Sequence, residues 1–331
     1  MTYYIGAGGT LTSIQDQIRA IVPTHPAWSL VESTTFGSSL PADVYKCDHA
    51  VSGMFADFYA VVIRNNTFSS LYFGIAEGYN PSTHKPQRPA MHATATLQTL
   101  QADGGVIPAT TEVDWYNGSY NPGGGSISAA GVFSALQASG AYAIVVAKDG
   151  FAVTSGSASL GGTAYVGAYD SALSASDDPL PIFVGTSDPG GASTCHATRH
   201  PRRGGLGTGF ACNLNGTASN EPASSGSLQA SRLVEANSAL MFAPASPPNG
   251  DGYDSYQADF TASRVALLNS YVSGSSTVGR YVNGWRRGWA KYLRATAAGG
   301  YSLLDGLTID GVAYLCADTR SPSLWIERDP A

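Results

Sequence analysis

The sequence predicts a mainly β protein: a β-sandwich or barrel-like body with a short N-terminal helix and long irregular loops. Short runs rich in aromatic and β-branched residues recur along the chain, and such residues favour strands. Turn signals separate these runs at intervals of about 8–12 residues, a spacing typical of sandwiches and barrels. Near the N-terminus, one segment instead has apolar residues at helical spacing.

This N-terminal segment is predicted to form a helix of about three turns. Thr12 and Gln15 fit a capping box at its start. Pro23 and Pro26 are expected to end it. The apolar residues at helical spacing are Leu11, Ile14, Ile18 and Ile21.

The first group of strands is centred on a β-hairpin. Asp57–Arg64 and Ser70–Glu77 form its two strands, and Asn65–Ser69 forms its turn. Phe58–Ile63 carries apolar side chains on both faces, which predicts burial on two sides. Tyr79–Ala90, with its Pro and Asn residues, is predicted to be a loop. Two shorter extended runs precede the hairpin: Trp28–Glu32 and Val44–Cys47.

A second group of strands begins near Val132. Ala141–Lys148 and Phe151–Thr154 flank the dipeptide Asp149-Gly150, and apolar runs around such a dipeptide are a strong hairpin signal. Ala262–Tyr271 is compatible with a strand or with a helical turn. The remaining predicted strands and hairpins are Thr163–Tyr169, Leu180–Gly185, Thr308–Ala317 and Ser323–Glu327.

These groups divide the chain into four predicted regions. Residues 1–116 hold the helix and a first β domain, and residues 129–186 hold the second β block. Residues 187–227 are rich in Gly, Ser and Pro and are expected to form an extended loop or arm. Residues 228–331 form a mixed C-terminal region that ends in a hairpin and a strand.

The composition is unusually poor in charge. Only 13% of the 331 residues are charged, whereas globular proteins typically have about a quarter. Either much of the surface is buried against other subunits, or the body is β-rich with a neutral exterior. Both interpretations indicate an assembly component. The net charge of −6 argues against nucleic acid as a partner.

Neither a membrane span nor a secretory signal is expected. The sequence has no run of 18 apolar residues, so no membrane-spanning helix is predicted. The N-terminal residues lack the basic and apolar regions of a signal peptide, so synthesis in a cytoplasm is expected.

One cluster carries residue types that can bind a metal. Cys195, His196, His200 and Cys212 are all potential zinc ligands. Structural zinc sites usually place paired cysteines about two to four residues apart, and this spacing differs. Three alternatives stay open: unlinked loop residues, a Cys195–Cys212 disulfide, or a metal site. With four cysteines in all, free thiols are the default expectation.

Three further groups suit protein contacts, although each also has a plain structural explanation. Arg199, Arg202 and Arg203 are either a subunit contact or a solvated turn. The second group is a segment that interleaves cations with aromatic residues: Arg280, Trp285, Arg286, Arg287, Trp289, Lys291 and Arg294. Such a segment can bind nucleic acid or a protein, and the acidic net charge of the chain favours a protein interface. The third group consists of tyrosines in Gly-, Asn- and Asp-rich surroundings, which suit glycan or protein contacts or else simply pack onto loop backbone: Tyr3, Tyr4, Tyr116, Tyr120, Tyr253 and Tyr256.

Enzyme motifs are not found in the sequence. The glycine-rich residues 204–209 do not follow a predicted strand, as a dinucleotide-binding loop would. The adjacent acids Asp177 and Asp178 stand beside a proline in a predicted loop. Asp48 and His49 could act in catalysis only with a nucleophile from elsewhere in the chain. We therefore expect no catalytic residues, no cofactor and no enzymatic activity.

Three segments resemble tail-associated virion structural proteins of tailed bacteriophages. The first, residues 28–85, includes DFYAVVIR and LYFGIAEGYNPSTHK. The second, residues 141–185, includes AYAIVVAKDGFAV and DDPLPIFVG. The third is the C-terminal IDGVAYLC followed by SPSLWI. Together they cover about a third of the chain.

The resemblance implies a non-enzymatic subunit of a virion, in the tail tip, baseplate or neck. Its expected partners are copies of itself in a symmetric ring and neighbouring virion proteins. The alternatives are a receptor- or glycan-binding tail module, for which a host-surface glycan is the partner, a capsid decoration protein and, more remotely, a hydrolase.

Overall fold

The computed structural model confirms a mainly β, sandwich-like fold with a short N-terminal helix. It describes residues 3–36, 39–66, 69–89, 112, 134–137, 140–156, 162–171, 180–187, 196–198, 230–237, 262–273, 276–286, 290–293, 302–309, 311–318 and 323–328.

The described residues form nineteen strands and three short helical segments. The helical segments are α1 (Leu11–Ile21), a 3-10 turn (Val22–Thr24) and α2 (His49–Ser52). The strands of the first half are β1 (Tyr3–Gly9), β2 (Trp28–Phe36), β3 (Leu40–Cys47), β4 (Phe58–Asn65), β5 (Ser70–Asn80), β6 (Lys85–Pro89), β7 (Ser134–Gln137), β8 (Gly140–Ala147) and β9 (Gly150–Gly156). Those of the second half are β10 (Gly162–Ser171), β11 (Ile182–Ser187), β12 (His196–Thr198), β13 (Ala230–Asn237), β14 (Ala262–Ser273), β15 (Ser276–Arg286), β16 (Ala290–Leu293), β17 (Gly306–Ile309), β18 (Val312–Asp318) and β19 (Ser323–Glu327).

These strands build two antiparallel sheets. The six-stranded sheet has the order β2-β3-β4-β5-β6, and β7 also pairs with β5. The larger sheet has the order β1-β8-β9-β10-β15-β14-β16-β19-β18-β17, with β11, β12 and β13 paired beside this path.

Aromatic side chains pack between the two sheets. Trp28 meets Phe58 edge-on at 5.5 Å between ring centroids, and meets Phe151 of the larger sheet at 5.3 Å. The indole Nε1 of Trp28 donates to the carbonyl of Ala147 at 2.9 Å, so this buried ring keeps its polar atom satisfied. The side chains of Ile14 and Ile18 bring α1 into the same core.

The central hairpin is confirmed. β4 pairs with β5 from Tyr59–Ala76 to Asn65–Ser70. The predicted burial on two sides is also found, because Val62 belongs to the core between the sheets and Val61 to a second core on the opposite face. The hairpin at Asp149-Gly150 and the one within Thr308–Ala317 are confirmed as well.

The start of α1 corrects the predicted capping box. Thr10, not Thr12, is the N-cap: its hydroxyl accepts from the Ser13 N–H at 3.2 Å, and the Ser13 hydroxyl accepts from the Thr10 N–H at 2.8 Å. Ser can replace Glu or Gln in this reciprocal arrangement because its hydroxyl also accepts a hydrogen bond.

The predicted loop at Tyr79–Ala90 is also corrected. β5 runs on to Asn80, and β6 returns beside it, so this segment is a second hairpin. Prolines are tolerated in β6 because it ends the sheet path, and on its outer side the described residues form one isolated bridge, Gln87–Glu112.

Some strands had no clear sequence signal. β1 and β13 were not predicted, and β1 pairs with β8 across the predicted boundary between the first two regions. The segment Ala262–Tyr271, left open by the sequence, is a strand. The four-region division itself stays a prediction. Most of the predicted arm, residues 187–227, lies outside the described residues.

Candidate functional site

The connection between β3 and β4 forms the candidate site, here called the α2 corner (residues 46–57). Cys47 pairs with Phe58 in the sheet, and this pairing closes the connection into one loop. Asp48 and Asp57 therefore lie together at its base. The Asp48 N–H donates to the Ala27 carbonyl at 2.8 Å, which ties the loop to the segment before β2.

The single turn of α2 is capped at both ends. The Asp48 carboxylate accepts from the Ala50 N–H at 2.8 Å, as expected of an Asp N-cap. Gly53 ends the turn with φ +76°, a left-handed conformation that favours glycine. Its N–H donates to the His49 carbonyl at 2.9 Å.

Asp57 is the centre of an ionic network across the corner. Its Oδ1 accepts from the His49 N–H at 2.9 Å and lies 2.6 Å from the His49 Nδ1. Its Oδ2 lies 2.6 Å from the Lys46 Nζ. Partial burial would raise the pKa of Asp57, but the His49 backbone, the Lys46 ammonium and the His49 ring together lower that pKa to about 2.

The network engages the groups that could bind a metal. Donor atoms of Asp48, His49 and Asp57 lie within 4.8 Å of one another. However, Lys46 holds one oxygen of Asp57, and Asp48 caps α2. A divalent cation would have to displace the ammonium of Lys46 and break hydrogen bonds that fix the loop.

An acid–imidazole pair is also part of many catalytic sets. In such a set the carboxylate orients the ring, and the ring activates a nucleophile. In the described part of the chain, the hydrogen-bond partner of the His49 ring is Asp57, and no hydroxyl or thiol is bonded to that ring. The nearby Cys47 thiol is fully buried, and burial raises its pKa to about 12. Among the described residues, the contacts of this pair join the start of α2 to the end of the corner.

The outer surface of the corner is apolar. Phe55 is 78% exposed, the highest value among the large hydrophobic residues in the described part of the chain. Val51, on α2, is 45% exposed. Beside Phe55, Met54 points into the core. The corner thus presents a bulky apolar side chain above a polar base that holds it in place.

A second polar group lies at the β5–β6 turn. The His84 Nδ1 is 2.9 Å and 3.1 Å from the two carboxylate oxygens of Glu32 on β2. The Tyr79 hydroxyl donates to the same carboxylate. His84 has φ +57°, and His is one of the residues enriched in this conformation. This contact fastens the tip of one hairpin to the edge strand β2.

A third polar group surrounds Asp43, which is fully buried beneath α1. Its oxygens accept from the Arg19 Nε at 2.7 Å, the Gln15 Nε2 at 2.9 Å and the Ser33 hydroxyl at 2.6 Å. The hydrogen bond to Asp43 raises the pKa of Arg19. Burial raises the pKa of Tyr45, which also belongs to this region of the core, well above its usual range.

Most of the side chains singled out in the sequence lie outside the described residues. This is true of Cys195, His200 and Cys212, and His196 is described only as part of strand β12. The choice between unlinked loop residues, a Cys195–Cys212 disulfide and a metal site therefore stays as the sequence leaves it. The same holds for the arginines Arg199, Arg202 and Arg203. In the cation- and aromatic-rich segment, strand pairing sets Trp285 opposite Asp170 and Arg286 opposite Tyr169.

Two tyrosines and two cysteines of the sequence analysis can be placed. Tyr3 packs beneath Arg328, whose Cζ is 5.3 Å from the ring centroid, and Tyr4 packs on Tyr142. Both tyrosines therefore have ring contacts within the subunit. Neither Cys47 nor Cys316 forms a disulfide, as expected, and both are fully buried.

Sequence reasoning named Asp48 and His49 but missed Lys46, Phe55 and Asp57. The available signal was the pattern D-H-A-V-S-G, with an Asp N-cap and a Gly at the end of a short turn. That pattern places a turn between two predicted strands, and the strand pairing then brings Lys46 and Asp57 to it.

No protein-family model matches the chain, and no curated protein sequence matches it. Among the described residues, none of the helices has the length and apolar character needed to cross a bilayer.

Proposed function

We propose that the chain is a structural subunit of a tailed-bacteriophage virion, in the tail tip, baseplate or neck. On this proposal it is made in the host cytoplasm, assembles with copies of itself and neighbouring virion proteins, and has no enzymatic activity or cofactor. The main support is Phe55: a side chain that is 78% exposed on a corner held by ion pairs.

Exposed aromatic anchors at rigid positions are typical of protein interfaces. A buried aromatic side chain often contributes much of the binding energy of an interface. Pre-organisation by Lys46, His49 and Asp57 lowers the entropy lost when the corner is ordered against a partner. The low charge of the chain and its resemblance to tail-associated proteins support the same conclusion.

Labelling of particles tests this proposal directly. An antibody against the purified chain should mark the tail region of the encoding phage in negative-stain images. Phe55→Ser should lower incorporation of the chain into particles at an unchanged melting temperature. Ile5→Ser, which removes an exposed apolar side chain from β1, is the matched control and should be incorporated normally. Particles that lack the chain altogether would contradict the proposal.

A glycan-binding tail module is the second candidate function, because Phe55 lies on the same loop as the carboxylates Asp48 and Asp57. Sugar sites often combine an aromatic face with free carboxylate acceptors. Here, however, Asp57 already accepts from His49 and pairs with Lys46, which favours a protein contact. Binding of the purified chain to host-surface polysaccharide, lost in Phe55→Ser, would favour the glycan function instead.

A further inference from the structure

The two outer strands of the six-stranded sheet have opposite edge chemistry. β6, with the sequence KPQRP, carries two prolines and two cations. Proline lacks the N–H that a pairing strand needs, and Gln87 already pairs with Glu112 on this side, so this edge is protected. β2, with the sequence WSLVESTTF, has no proline and a single charged residue. Among the described strands, β2 pairs with β3 alone.

Part of β2 is regular and accessible. Its register with β3 shifts between Leu30 and Glu32, which marks Val31 as a bulge. Such a bulge hinders further pairing at that point. From Glu32 to Phe36 the register is continuous, and Ser33 and Thr35 are exposed. A pairing partner would therefore align with these five residues.

The only charged side chain on β2 has its hydrogen-bond partners within the subunit. The Glu32 carboxylate contacts the His84 ring and accepts from the Tyr79 hydroxyl. Two such edges can therefore approach without bringing unpartnered charges together. Pairing centred on Thr34 sets Glu32 opposite Phe36 of the other copy and Ser33 opposite Thr35. The two glutamates then lie about 13 Å apart along the strands.

We infer that β2 pairs antiparallel with β2 of a second copy, centred on Thr34. The contact is isologous, since each copy supplies the same segment, and it joins two six-stranded sheets into one continuous sheet. Thr34 then faces Thr34 of the other copy at the centre, a favourable cross-strand pair, while the Ser33 hydroxyl stays bonded to Asp43. The inference rests on the proposed assembly role and names a second copy of the chain as the partner.

Sedimentation velocity of the full chain provides the test. The wild-type protein should be dimeric at about 100 µM. Thr34→Lys sets two ammonium groups directly opposite each other, so the dimer should weaken by about tenfold or more, while the melting temperature stays the same. Ser82→Lys, in the exposed β5–β6 turn, is the matched control and should dimerise like wild type.

A cysteine variant tests the register independently of Thr34→Lys. Thr34→Cys brings two thiols to positions that face each other across the two-fold axis, and mild oxidation should link them. Ser82→Cys, in the exposed β5–β6 turn, measures cross-linking by random collision and should react more slowly.

Three results would overturn the inference: a monomeric wild type at about 100 µM, unchanged dimerisation of Thr34→Lys, or equal cross-linking of the two cysteine variants. A dimer that tolerates Thr34→Lys would reject β2 as the interface and leave the virion proposal intact. Particles that lack the chain would reject the virion proposal, whether or not β2 mediates dimerisation.

Discussion

Asp43 and Asp57 have similar partners in different surroundings. Each accepts at least two hydrogen bonds and pairs with one cation, Arg19 at 2.7 Å or Lys46 at 2.6 Å. The Asp43 side chain is fully buried, whereas that of Asp57 is 29% exposed. Burial makes an uncompensated charge costly, and water screens an exposed one. We therefore expect the Asp43 network to hold α1 against the sheet, and the Asp57 network to position a surface loop at little cost in stability.

The largest expected effect comes from a second carboxylate beside Asp43. Val62 is fully buried and lies directly opposite Asp43 in the β3–β4 register. Val62→Asp should abolish cooperative folding, because an unpaired buried charge costs several kcal/mol of a total stability of about 5–15 kcal/mol. Circular dichroism during thermal unfolding measures this. Val62→Asn is the control, because Asn has the size of Asp without its charge, and this variant should keep a cooperative folding transition. Loss of the transition in both variants would show that the charge is not the cause.

Removal of Asp43 itself should have the next largest effect. Asp43→Ala leaves Gln15 and Arg19 without their buried acceptor, and we expect a loss of about 3 kcal/mol in the free energy of unfolding. Asp16→Ala removes the other carboxylate that pairs with Arg19, one that is 52% exposed, and should cost less than about 1 kcal/mol. Urea denaturation of both variants tests the comparison, and similar losses would contradict it.

The exposed network should give a smaller, pH-dependent effect. The pKa of Asp57 is lowered to about 2 in the folded state, so its contribution to stability is present above about pH 4 and is lost as pH falls towards 2. Because the groups are partly exposed, we expect about 1 kcal/mol at neutral pH. Melting temperatures of wild type and Asp57→Asn should differ at pH 6, and the difference should shrink below about pH 4 and be smallest as pH approaches 2. A constant difference across that range would show that another property of Asp57 is responsible.

The sequence predicted elements whose signals are local. The β4–β5 hairpin and the turn at Asp149-Gly150 each rest on alternating residue types and a short turn, so neighbouring residues were enough. β1 was missed because three glycines obscure its pattern, and its strand geometry comes from pairing with β8. The hairpin at Tyr79–Asn80 and β6 was read as a loop because proline signals a loop unless the strand lies at an edge.

The sequence alone determined the fold class, most strand positions of the N-terminal half and the low charge that suggests an assembly role. Only the tertiary structure decided which polar residues meet. Arg19 and Asp43 are 24 residues apart, and Trp28 and Ala147 are 119 apart, yet each pair is hydrogen-bonded. Glu32 and His84 are likewise far apart in the sequence and in contact in the structure. The exposure of Phe55 on the α2 corner also appears only in the structure. The physical reason is that strand order and sheet packing set these distances, and neither follows from residue patterns within one strand.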